Sequence, residues 1–166
     1  MRLLGLAVIT ALAVGRRCHA LLEEDFVSFG PAPAGSLAIT NAPVLSGVDD
    51  FVGVHIAADS LATDLGQITG FKRESRRVTA ANATAGSAVS PTAIIVGSAN
   101  SSLIRSLVTS KVIDLSDIEG RWEAFKTVVV EKPLAGVEQA LVIAGSDKRG
   151  TIFGIYTLAE QSGQSP

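Results

Sequence analysis

Residues Ala140–Pro166, ALVIAGSDKRGTIFGIYTLAEQSGQSP, decide how the rest of the chain is read. Leu141–Ala144 is a short apolar run, the mark of a strand covered on both faces. Gly145–Lys148 carries turn chemistry, and from Arg149 the period becomes helical. Ile152, Ile155, Tyr156 and Ala159 fall at i, i+3, i+4 and i+7, which predicts one apolar stripe. Gly150 and Gly154 sit four apart on a neighbouring face, where missing side chains let another element approach closely. Gly163 fits the position just past a helix end, and Pro166 cannot continue that helix.

Outward from this stretch the pattern recurs. Thr92–Val96 is a second buried-strand run ending in Gly97-Ser98, as the first ends in Gly145-Ser146. A helix is expected after it, with Leu103, Ile104, Leu107 and Val108 turned inward. Ala124–Val130 is β-branched and strand-like, Lys132–Gly136 reads as a turn, and Ala140–Ala144 returns as its partner. Upstream, Phe51, Val54, Ala58, Leu61, Ala62, Leu65 and Ile68 follow a helical period. Asp49 or Asp50 can cap that helix, and Gly66 or Gly70 can end it. Short strands are expected near Phe26–Phe29 and Leu37–Thr40. Lys72–Arg77 reads as a solvated charge run, Val78–Pro91 as a loose connection, and Ile113–Glu123 as a connector. The sum is an α/β (α+β-like) fold: a small mixed β-sheet with about three helices packed on it in two or three layers, in the order β-α-β-α-β-β-α.

With 166 residues and 47% hydrophobic content, the chain can bury a sizeable core and is not disordered. Arg2, the 12-residue apolar run Leu3–Val14, and the small residues Cys18 and Ala20 at −3 and −1 read as a secretory signal peptide over residues 1–20. The alternative reading of that run is a buried N-terminal helix. It is too short to span a bilayer, and Arg17 before Cys18 argues against a lipoprotein signal. Cleavage would remove three positive charges, moving the formal charge from −2 to −5. The remaining domain, residues 21–166, would be extracellular and off the membrane, a poor nucleic-acid binder without a basic stripe. It would hold no cysteine and one histidine, His55, which excludes a disulfide framework and leaves no metal or cofactor site to assign.

Candidate chemistry is sparse. Gly145 and Gly150 have phosphate-loop spacing after a strand, but Thr151 stands where the loop's lysine belongs, and Asp147 would repel phosphate. Asp147, Lys148 and Arg149 form a charged turn with two readings. One is a helix-entry cap. The other is a contact with an acidic sugar or a neighbouring domain, Arg149 pairing a carboxylate bidentately. Glycoside hydrolysis needs two flanking carboxylates. None of the sixteen acidic residues is singled out by pairing, and Asp114, Asp117, Glu119 and Glu123 read as solvation and capping. No catalytic residue is assigned. His55 reads as a satisfied, partly buried histidine, Tyr156 as core or domain interface, and Trp122 as leaning to packing. Asn82-Ala-Thr84 and Asn100-Ser-Ser102 are glycosylation sequons in a eukaryotic source, although Asn100 can instead cap the following helix.

The stretch Ala140–Pro166 resembles the segment before the catalytic barrel in glycoside hydrolase family 115, the secreted xylan α-glucuronidases. Weaker similarity extends through Gly120–Phe125 and Leu61–Gly70. The resemblance implies an N-terminal accessory domain whose parent releases α-1,2-linked glucuronic or 4-O-methylglucuronic acid from glucuronoxylan. Its catalytic acids would come from a barrel beyond Pro166, the domain's own partner, and these 166 residues alone would be inactive. From the residues alone, a free-standing secreted carbohydrate-binding or interaction domain is the other reading.

Overall fold

Four short, largely apolar segments lie side by side and parallel: Val44–Gly47 (β4), Ser75–Val78 (β5), Thr92–Ser98 (β6) and Val137–Gly145 (β8). The computed structural model describes residues 9–12, 26–29, 36–79 and 90–163. Phe125–Leu134 (β7) closes one side of the sheet antiparallel to β8, giving the strand order β5-β4-β6-β8-β7. Helix α1 (Val52–Thr69) makes the crossover from β4 to β5, α2 (Ser102–Thr109) follows β6, and α3 (Lys148–Gln161) follows β8.

Alternation along the strands divides the core. Val44, Ile94, Val96, Leu141 and Ile143 pack with α1 and α3 on one face. Leu45, Ile95, Ala140, Val142 and Ala144 pack with α2 and with Ile113, Leu115 and Ile118 of the connector on the other. Both faces are covered, which is why β6 and β8 read as unbroken apolar runs. The fold is mixed α/β in three layers, with a five-stranded mixed sheet and three helices among the described residues.

A second, antiparallel sheet joins Ile9–Leu12 (β1), Val27–Phe29 (β2) and Ser36–Ala38 (β3) in the order β2-β1-β3. β1 lies inside the segment read as a signal peptide and is a strand, not the helix of the alternative reading. Leu37 and Ile39 join the core under α1, and the Phe26 N–H donates to Gln161 Oε1 at 2.9 Å.

Several expectations need correction. β4 was not foreseen, because its four residues, VLSG, carry only two apolar side chains. The charge run is not simply solvated: Ser75–Val78 is β5. Arg73 is buried and donates to Thr40 O at 2.6 Å and Ala42 O at 3.0 Å, while burial pushes its guanidinium down to about 10. The β7–β8 turn is Ala135-Gly136 alone. Lys132 and Pro133 stay in β7 through a register shift between Glu131 and Leu134, where Lys132 takes a left-handed φ of 48°. A bulge of this kind lets a proline sit in a strand. The loose tract after Val78 and Asn82 fall outside the described residues.

On α3 the buried stripe is Thr151, Gly154, Ile155, Leu158 and Ala159, rotated from the expected one, so Tyr156 is exposed and Ile152 half-buried. The glycines cause the rotation. A Cβ on Gly150 would lie 2.2 Å from Ala124 O, and one on Gly154 would lie 2.6 Å from Ile143 Cγ2 and 2.8 Å from Phe125. The close approach expected at these positions is therefore made by β7, β8 and the segment before β7. Phe51 and Val108, placed inward by the sequence pattern, are exposed.

Candidate functional site

In open α/β sheets ligands bind beyond the carboxyl ends of the strands, where the connections diverge. Here that point lies between β4, which crosses to β5 on one side, and β6, which leads through α2 to the hairpin on the other. Its occupants are the chain's own side chains. Asp50 Oδ2 accepts from Ser98 N at 2.8 Å, and Oδ1 accepts from Ser98 Oγ at 2.9 Å and Phe51 N at 2.8 Å. Asp49 accepts from Ser102 N at 2.9 Å and from Ser102 Oγ at 2.9 Å, so it sits at the start of α2. His55, buried, donates from Nε2 to Gly47 O at 2.9 Å.

Neither aspartate serves α1, whose entry residue Phe51 makes no side-chain cap. Ser101, not Asn100, caps α2 by accepting from Ile104 N, and Asn100 lies exposed in the turn before it. Partial burial raises the Asp49 carboxyl, but the bonds from Ser102 outweigh it and hold the group below its usual value. Two carboxylates fill the place where an anionic ligand would sit, and their charge repels phosphate.

The Gly145–Thr151 turn is closed in the same way. Asp147 begins α3, accepting from Gly150 N at 2.8 Å and, through Oδ2, from Glu123 N at 2.9 Å. Burial again raises this carboxyl and the backbone donors overcome it, so its pKa is lowered. A Cβ on Gly145 would lie 2.1 Å from Thr151 N, so no cradle remains for a phosphate.

Of the other two residues in the charged turn, Arg149 pairs with Glu123 at 3.1 Å and lies 5.7 Å over the Phe153 ring. Lys148 points outward without an ion pair. Beside them Trp122 is 81% exposed, against the packing role expected of it. It precedes Glu123, whose left-handed φ of 56° turns the chain into β7.

The acidic connector is likewise spent on structure. Asp114 accepts from Ser116 N and Oγ at 3.0 Å, and Asp117 pairs with Lys126 at 3.0 Å. Among the described residues no three His, Cys, Asp or Glu side chains converge. The arrangement supplies aromatic, apolar and basic surface, and no carboxylate pair set for acid–base chemistry.

The fold has a solved counterpart. Its main sheet and helices are similar to part of a family GH115 4-O-methyl-α-glucuronidase with specificity for decorated arabinogalactans. The match covers 76% of this chain at 24% identity with a TM-score of 0.55, and it spans 14% of that much longer chain. By sequence, no family model and no curated protein matches. The likeness is one of fold.

The surface residues that sequence reading missed are Val52 and Ile56. They form a second apolar column, four apart, off the buried stripe of α1. That spacing was the available signal.

Proposed function

We propose that this chain is the N-terminal, non-catalytic domain of a secreted glycoside hydrolase resembling family 115 α-glucuronidases. The observation that carries the reading is the fold match to one small part of a long glucuronidase. The sequence resemblance of Ala140–Pro166 supports it from a separate direction. The tied-down carboxylates fit a domain that lends shape and leaves hydrolysis to other residues. In this reading the parent removes α-1,2-linked (4-O-methyl)glucuronic acid from glucuronoxylan. Decorated arabinogalactan, named for the structural neighbour, is the competing substrate. Secretion rests on the signal-like residues 1–20, and cleavage after Ala20 would take β1 away with them.

The exposed Trp122 favours one second reading, a free-standing carbohydrate-binding or interaction domain. Sequencing the transcript through the codon for Pro166, then assaying the encoded protein for uronic acid release from both polysaccharides, separates the two. Release by the longer protein, with none from the 166-residue chain, is expected. A stop codon directly after Pro166, or turnover by the short chain, overturns the proposal.

A further inference from the structure

The exposed apolar side chains of the helical layer are not scattered. On α1, Val52 is 72% and Ile56 59% exposed, and Phe51 lies just before them. On α3, Phe153 and Tyr156 are exposed, one turn apart. The two columns adjoin, because α1 and α3 meet at their first turns: a Cβ on Gly53 would lie 3.3 Å from Ile152 Cδ1 and 3.9 Å from Lys148 Cδ. Trp122 extends the surface, since the adjacent Glu123 holds Arg149 and Arg149 lies over Phe153. Further along both helices the outward positions turn polar, with Asp59, Thr63 and Gln67 on α1 and Glu160 on α3. By contrast α2 exposes one large apolar side chain, Val108.

The patch therefore has a centre and a rim. Its centre is aromatic and aliphatic, and its rim carries the cations Lys148 and Arg149, while the nearest carboxylates, Asp147 and Glu123, are already committed. Aromatic and arginine side chains around a dry apolar centre are the composition of protein interface hot spots. A patch spread over two convex helices is a poor fit for a single sugar ring.

From this we infer that Val52, Ile56, Phe153 and Trp122 centre a docking surface for the polypeptide that follows this domain in the same protein, and that the covering face is apolar with carboxylates opposite Lys148 and Arg149. The choice of occupant follows from charge complementarity and from the neighbouring enzyme, where this fold is 14% of a long chain. It rests on the proposed function above.

The test mixes the 166-residue chain with the separately expressed polypeptide encoded beyond Pro166 and measures binding by calorimetry. Val52→Lys with Ile56→Lys should weaken binding by about a hundredfold, and Trp122→Ala by about tenfold. Lys148→Glu should slow association, more so at low salt. Val108→Lys on α2 should leave affinity within about twofold. Thermal melts of each variant separate lost binding from lost folding. A downstream polypeptide that binds equally well to the patch variants, or not at all, overturns this inference and leaves the proposed function standing. Concentration-dependent dimers abolished by Val52→Lys, or xylan oligosaccharides quenching Trp122 fluorescence at micromolar concentration, would assign the surface to another occupant and overturn it too. A frame that stops at Pro166 sinks both.

Discussion

Two turns at the same end of the sheet look alike in sequence and are held in different ways. Gly145-Ser146 leads into α3 and is held locally, since Asp147 bonds Gly150 three residues on and Glu123 24 residues back. Gly97-Ser98 leads into α2 and is held from outside, by Asp50 across 48 positions and Asp49 across 53. A local cap stabilises its own helix. A remote one also stitches β4 to β6, so its loss should be felt across the sheet.

The comparison can be broken by substitution. Gly150→Ala should have the largest effect, about 3 kcal/mol or more, because the new methyl group meets the Ala124 carbonyl, which cannot move alone. Denaturant unfolding reads this, and a loss under about 1 kcal/mol would mean that α3 does not press on that segment. Asp50→Ala should come next at about 2–4 kcal/mol, since the buried Ser98 N–H and hydroxyl lose their acceptor. Asp147→Ala should cost about 1–2 kcal/mol, as loss of a cap does. If Asp147→Ala proves costlier than Asp50→Ala, the local turn is the more important of the two and the contrast is reversed. The exposed Asp49→Ala should cost about 0.5–1 kcal/mol.

Smallest is the effect of acid. Asp49 and Asp147 both have folded pKa values below the ordinary 3.8. Their contribution is complete above that value and is lost as pH falls through the lower folded values. Melting temperature followed downward from pH 5 should drop less steeply in Asp49→Asn with Asp147→Asn than in the parent chain. Parallel slopes would show that neither carboxylate is preferentially bound in its charged form.

The same contrast explains what the sequence made legible. The β8–turn–α3 unit was readable because its strand run, cap and glycine spacing are neighbours in the chain. The bonds that close the β4–β6 crevice depend on Asp50 and Ser98 meeting after folding, and no local pattern records that. β4 and β5 escaped notice for a related reason. Four-residue strands with serine, glycine or arginine owe their conformation to neighbours, not to propensity. Trp122 and Tyr156 were read inward because apolar periodicity marks a stripe without saying whether a sheet or another domain covers it.

The two outermost strands of the main sheet carry one more consequence. β5 displays Arg76 and Arg77, and β7 is broken by Pro133 and by the left-handed Lys132. A foreign strand laid against either margin would meet like-charged guanidinium groups or a missing N–H donor. Runaway stacking of one copy on the next is thus discouraged at both margins, and a concentrated solution is protected from fibre growth through this sheet.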